Sequence, residues 1–343
     1  MLTLLVILLL LHGSGQDLSF LSDSDGFSPS FQPYISLSRL RVLTLNLFLR
    51  PPLVKNNESD YKDLRTAYFI QHVFPLYDLI CLQEVFGFMN YRKSQLIEEA
   101  KLAGFYYIAE SPQPGAFSGY MIDGGLLILS RLPIVEREFE VYRDSAMPDS
   151  MAQKGVLYAQ IQAGKENLHI FTSHMQSSYQ VTDVNLYRTY RETRRLQLQQ
   201  LREFVYFMTH DVGFVLVLGD LNVDSRESTK PNPFPEIDLD DYQAMTDIMG
   251  PGAVDLGYKA YGEHPITFGK RKPDGSPDET VLSDVKEQGG EFSLDYIFLL
   301  NSTPQARIWL NSTRVAEFYV QNQTFTQVSD HFGLETTIEL MVN

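Results

Sequence analysis

The feature that most limits what this chain can fold into is a series of short apolar runs, each closed by turn or polar residues. "RVLTLN" (residues 41–46), "DLICLQE" (78–84) and "GLLILS" (125–130) come first. "VLYAQIQ" and "LHIFTSH" follow, joined by "AGKEN", whose Gly suits a hairpin connection. "FVLVLGDLN", "SLDYIFLL" and "LETTIEL" complete the set. Runs of this length between turn residues read as β-strands. In the last, Leu334, Thr336, Ile338 and Leu340 alternate onto one face, the pattern of a half-buried strand.

Helical spacing fills the gaps. Residues 60–74 carry Leu64, Ala67, Tyr68 and Phe69, with Asp60 placed to cap the N-terminus. Residues 95–103 suit a shorter helix. Residues 188–208 suit the longest, with Leu198, Leu201, Val205 and Met208 on one stripe and Arg and Gln on what reads as a solvated face. Strands mixed with helices and a hairpin predict a layered α/β protein: two mixed β-sheets packed together with helices outside. Packing on both sides explains runs that are apolar on both faces. No long Pro/Gly/Ser-rich linker and no internal repeat divides the 343 residues, so one domain is expected over residues 39–343, after an extension at 16–38.

Residues 2–11 are almost wholly apolar and are followed by Gly13-Ser14-Gly15. The stretch is too short to span a bilayer as a helix and fits a signal peptide over residues 1–15, although basic residues are absent ahead of it. Export is therefore expected, and four acceptor patterns for N-linked glycans accompany it, at Asn57, Asn301, Asn311 and Asn322. The single cysteine, Cys81, sits in an apolar run and reads as a buried, inert thiol. The net charge of −15 argues against a nucleic-acid grip by counterion release and against a polybasic membrane patch.

The strand ends carry the chemistry. Asn46 ends the first run, Glu84 the second and His174 ends "FTSH". Asp220 and Asn222 close "VLVLGDLN", Asp295 lies in "LDYIF", and Asp330 and His331 precede the last strand. Each has a plainer role open to it. Gly-Asp-x-Asn is good turn chemistry, Glu84 can face water, and a lone histidine is often just a polar tip. If the edges coincide, however, the result is one pocket of carboxylates, amides and two histidines. That set suits hydrolysis of a phosphate ester. Magnesium takes hard oxygen ligands and few carboxylates, which Glu84 and Asn46 can supply. His331 with Asp295 can act as general base, Asp220 and Asn222 can position water and stabilise the transition state, and His174 can bind a phosphoryl oxygen.

In these stretches the chain resembles the endonuclease/exonuclease/phosphatase superfamily: "TLN", "LQE", "SH", "GDLN", "LDY" and "SDH", in order, from Arg39 to Leu340. The resemblance implies a four-layer, deoxyribonuclease-like α/β sandwich and a Mg²⁺-dependent phosphoesterase, with Mn²⁺ or Co²⁺ as alternative ions. It places Asp330 near the metal beside Glu84 and Asn46. Within the superfamily the chain is most similar to secreted neutral sphingomyelinases, through "DLICLQEVF", "DGGLLILSRLPI", "KGVLYAQI", "HMQSSY" and the "ITFGKRKPDG" loop. This implies a monomeric enzyme that meets sphingomyelin at a membrane surface and releases ceramide and phosphocholine, with no nucleic-acid partner. No aromatic hairpin for membrane entry is evident; Leu47-Phe48-Leu49 and Trp309-Leu310 are the candidates, and both also suit a core. The alternative reading is a secreted deoxyribonuclease on the same fold, which shares every one of these polar residues. A catalytically silent binding protein would have lost at least one of them.

Overall fold

The computed structural model describes residues 38–52, 54–179, 182–283 and 290–341. The expected signal peptide and nearly all of the extension lie outside them. Residues Leu37–Asn343 form one compact unit. Among the described residues, thirteen strands make two mixed sheets. The first contains β1 (Arg39–Leu49), β2 (Leu79–Val85), β3 (Tyr107–Glu110), β4 (Leu127–Ser130), β11 (Ala306–Ile308), β12 (Arg314–Ala316) and β13 (Gly333–Leu340), with β1 and β2 parallel and β1 and β13 antiparallel. The second contains β5 (Ile134–Val141), β6 (Gly155–Ala163), β7 (Glu166–His174), β8 (Phe214–Asp220), β9 (Val254–Asp255) and β10 (Asp295–Asn301), with β7 and β8 parallel.

Three apolar layers hold this together. Between the sheets lie Val42, Cys81, Ile128, Leu157, Ile170, Leu216 and Ile297. The other face of the first sheet, with Leu43, Ile80 and Leu129, packs on α1 (Lys62–His72) and α2 (Arg92–Leu102) through Phe69, Leu96 and Ala100. The other face of the second sheet, with Tyr158, Phe171, Val215 and Val217, packs on α3 (Val184–Thr209) and α4 (Asp241–Met249). A short α5 (Leu256–Tyr261) precedes β10. Alternate residues of β8 therefore face different cores: Leu216 and Leu218 the inner one, Val215 and Val217 the helices. The expected four-layer sandwich is what forms, and Cys81 is fully buried, its thiol pushed up by burial.

Four local expectations fail for physical reasons. Asp60 does not cap α1; Tyr61 occupies that place in a left-handed conformation, with no side-chain cap. The Asp60 carboxylate instead accepts from the Asn56 and Asn57 N–H groups and pairs with Arg50 at 3.0 Å. Leu64 and Ala67 are exposed, and α1 buries Lys62, Arg65, Thr66 and Phe69. The polar side of α3 is only partly solvated: Arg188 and Arg195 are exposed, but Arg191, Arg194, Gln197 and Gln200 are buried. The last strand is buried on both faces from Gly333 to Ile338, because Glu335 pairs with Tyr77 and with Arg314 at 2.6 Å. Leu47, Phe48 and Leu49 belong to the core, and Trp309 stacks against Arg39.

Candidate active site

Strand register brings the polar ends together. His174 pairs with Asp220 across β7 and β8, and Asp220 pairs with Asp295 across β8 and β10. Three chemically active residues thus stand side by side at one edge. Gly219 is required for this approach, since a Cβ there would lie 2.2 Å from the Ser173 carbonyl oxygen and its φ is 137°. From the first sheet, Asn46 of β1 sends its Nδ2 to Asp220 Oδ2 at 3.0 Å and to Glu84 Oε1 at 3.1 Å, joining the two sheets. Asn46 does not end its strand; β1 continues to Leu49 through an irregularity at Phe48, whose φ is 54°. Glu84 and Asn222 are also left-handed, with φ of 57° and 54°. Such backbone costs on the order of 1–3 kcal/mol per residue and persists where the surroundings fix it.

The sequence-predicted residues converge. His331 Nδ1 donates to Asp295 Oδ2 at 2.9 Å, and its Nε2 lies 3.8 Å from Asp220 Oδ2. His174 Nε2 lies 3.6 Å from Asp220 Oδ2 and 4.0 Å from Glu84 Oε1. The Asn222 N–H donates to Asp220 Oδ1 at 3.1 Å, so the expected turn chemistry is present as well, while its Nδ2 holds the Met175 carbonyl oxygen at 3.1 Å. Ser329 Oγ donates to the Asn46 carbonyl oxygen at 2.6 Å and contacts Asp330 Oδ1 at 3.2 Å.

Electrostatics divides these groups. Burial would lower the His331 pKa, but Asp295, Asp220 and Asp330 outweigh it and hold the ring protonated well above its usual range. His174 is pushed down to about 3 by burial and by Lys154, so its ring is neutral. Burial raises the Asp330 carboxyl to about 7, with Glu84 adding to the rise. Burial raises Glu84 too. Glu84 Oε2 and Asp295 Oδ1 are buried with no hydrogen-bond partner among the described residues.

A cation fits this pattern. The site offers hard oxygen donors, an orphaned carboxylate oxygen and a carboxyl that burial forces upward in spite of His331 and Arg50. Asp220, Asp295 and His331 also bring ligand atoms within 4.8 Å of one another. Two of that trio already pair with each other and the imidazole is protonated, so the Glu84–Asp330 side has the greater need for positive charge. In this arrangement Asn46 turns its Oδ1 to the Phe48 N–H at 3.1 Å. It braces the carboxylates with its amide nitrogen; a place among metal ligands needs the amide oxygen turned inward.

Two residues that the sequence reading missed complete the site. Lys154 is buried and donates to Asp149 Oδ2 at 2.7 Å, the Met175 carbonyl oxygen at 2.8 Å and His174 Nε2 at 3.3 Å. Its signal was the "KG" opening a strand. Arg65 is fully buried and binds the carbonyl oxygens of Leu47, Phe48 and Val328 at 2.7–2.9 Å. It ties the backbone after Asn46 to that before Asp330. Burial lowers it to about 10. Nothing in its helical spacing distinguishes it from a surface arginine.

Two sheets flanked by helices, with an edge of carboxylates, amides and imidazoles between them, define a phosphoesterase of the deoxyribonuclease-like class. The Endonuclease/Exonuclease/phosphatase family matches residues 43–331, and the chain belongs to that family. A sphingomyelinase of Dictyostelium discoideum is 32% identical over 361 residues, covering 85% of this chain and 77% of that protein. Sphingomyelinase C of Bacillus cereus is 22% identical over 231 residues, 64% of this chain and 62% of that one. Among solved structures, a beta toxin mutant of Staphylococcus aureus with bound magnesium ions superposes with a TM-score of 0.64 at 20% identity, covering 87% of this chain and 98% of that one.

Proposed function

We propose that this protein is a secreted, Mg²⁺-dependent phosphodiesterase that hydrolyses sphingomyelin to ceramide and phosphocholine. The observation that carries the hydrolytic reading is the buried, charge-deficient cluster at the sheet edges. The substrate reading is supported by the Dictyostelium relative, a sphingomyelinase similar over most of both chains. Residues 39–343 serve as one catalytic domain, acting as a monomer, and residues 1–15 as the export signal.

Glu84 and Asp330 would hold the cation, with Asn46 bracing Glu84 in the present orientation. A bound divalent cation would offset the phosphate charge and the charge that develops in the transition state. With its own proton released, His331, oriented by Asp295, takes the proton of the attacking water. Asp220 and the Asn222 amide orient that water, and the proton His331 has taken passes by way of Asp220, 3.8 Å from its Nε2, to the departing ceramide oxygen. Lys154 stands beside the phosphoryl oxygens, and His174 would bind one of them in the tautomer that carries its proton on Nε2.

The test is phosphocholine release from sphingomyelin vesicles by the full chain, with Mg²⁺ and with EDTA, beside a DNA-nicking assay. The reading expects release that requires Mg²⁺ and leaves DNA intact. Nicking without phosphocholine release would move the substrate to nucleic acid.

A further inference from the structure

Four loops meet on the side of the site that carries Glu84 and His174. The loop at residues 86–91 follows Glu84, and its Gly87 N–H donates to Asp123 Oδ1 at 3.0 Å. The loop at 111–121 reaches the next through the Met121 N–H and the Met151 carbonyl oxygen, 2.8 Å apart. The loop at 145–153 joins the segment 175–179, which follows His174, through Asp149. That carboxylate accepts from the Ser177 N–H at 2.9 Å and the Tyr179 hydroxyl at 2.5 Å.

These loops share an unusual composition. Together they contain one charged side chain, Asp149, which is buried against Lys154, in a chain that is 21% charged overall. Their tips are apolar and exposed: Phe117 is fully exposed at 102%, and Met89, Met121 and Met147 at 61–70%. Holding such side chains in water gains nothing for folding, and exposed apolar groups gathered on neighbouring, hydrogen-bonded loops mark a contact surface. The opposite flank differs. Beyond His331 and its neighbour Phe268, residues 270–279 carry Lys270, Arg271, Lys272, Asp274, Asp278 and Glu279.

We propose that these four loops form a lipid-docking collar, with Phe117, Met121 and Met147 entering a zwitterionic phospholipid interface while the site faces the head groups. The proposal rests on the lipid-substrate reading above. The neutral collar fixes the partner's chemistry. A protein of net charge −15 is repelled by an anionic surface, and the collar offers no Lys or Arg to anionic lipid. Apolar insertion alone then supplies the affinity, scaling with the apolar area buried.

The test uses the full chain, phosphatidylcholine–sphingomyelin vesicles and a Phe117→Glu/Met121→Glu double variant. Phe207→Glu is the control; Phe207 is 71% exposed and precedes β8 at the end remote from Asp220. Vesicle co-sedimentation, read without turnover, is expected to fall by roughly tenfold or more in the double variant, since each large apolar side chain removed from water contributes at least that factor. Phe207→Glu is expected to sediment like the parent. Vesicle hydrolysis should fall at least about tenfold more than hydrolysis of a water-soluble phosphocholine ester. Undiminished sedimentation of the double variant overturns the proposal. So does a parent dimer that the double variant dissociates while vesicle binding persists, because the collar then covers a second copy. A parent that binds vesicles through Phe117 yet cleaves no phosphocholine ester would refute the substrate and leave the collar standing.

Discussion

Two of the buried polar clusters among the described residues differ in their charge balance. On α3, Arg191 faces Asp241 at 2.8 Å, Asp240 at 3.1 Å and Glu227 at 3.5 Å, while Arg194 faces Asp241 at 3.1 Å. Gln197 and Gln200 bind the Gln176 N–H, the Arg143 N–H and the carbonyl oxygens of Asp144 and Val141. Cations there meet anions. At the sheet edges, Glu84, Asp220, Asp295 and Asp330 crowd together with His331 among them, while the nearby Arg50 and Lys154 are already paired to Asp60 and Asp149. A balanced cluster closes a structure. An unbalanced one, held in place by strained backbone, is kept for a ligand.

The largest effect that can break this contrast is catalytic. His331→Ala should cut phosphodiester hydrolysis by ~10²–10⁴-fold, the usual worth of a general base; it also strips Asp295 of its buried partner and should lower the Tm while far-UV circular dichroism keeps the parent's fold. A loss below that range, measured as kcat/KM, would move the base elsewhere. The balanced cluster should respond the other way. Arg191→Ala leaves Glu227 without its cation and Asp241 with Arg194 alone, and should cost roughly 1–3 kcal/mol in urea unfolding, with the surviving folded enzyme close to normal turnover. Stability unchanged by that substitution would mean that the cluster is ornamental.

Titration sharpens the comparison. The Asp330 carboxyl is raised from 3.8 to about 7, so between those values the folded protein holds a proton that the unfolded chain releases. Through this group, stability of the cation-free protein is present at low pH and is lost as pH rises through about 7. Cation affinity should move oppositely, strengthening as pH climbs through the same range, because the ion and the proton compete. Isothermal titration with Mg²⁺ at several pH values reads this; affinity independent of pH would remove Asp330 from the ion's surroundings. The smallest effect belongs to the surface. Arg195 pairs with Glu192 at 2.6 Å in the open, and Arg195→Ala should change unfolding free energy by no more than about 0.5 kcal/mol.

The same contrast explains what the sequence reveals. Strand ends are legible because apolar runs stop abruptly, and Glu84, His174, Asp220, Asp295 and His331 stand at or beside such stops, whereas Asn46 interrupts a run that goes on to Leu49. The layer order follows from runs apolar on both faces. Arg191 and Arg194 were not legible, because helical periodicity assigns arginine to water and their partner Asp241 lies 47 residues from Arg194. Arg65 is hidden likewise, since its partners are backbone carbonyl oxygens that no side-chain pattern records. Asp60 failed as a cap because its carboxylate finds two N–H groups and Arg50 in the preceding loop.

The most direct measurement is thermal unfolding of the parent and of Glu84→Gln, each with EDTA and with saturating Mg²⁺. The account predicts that Mg²⁺ raises the parent's Tm. It also predicts that Glu84→Gln, relieved of one unmatched charge, is at least as stable as the parent in EDTA and gains little from Mg²⁺. A parent that ignores Mg²⁺, or a Glu84→Gln protein as destabilised as Arg191→Ala, would show that the edge cluster is balanced after all and would contradict the account.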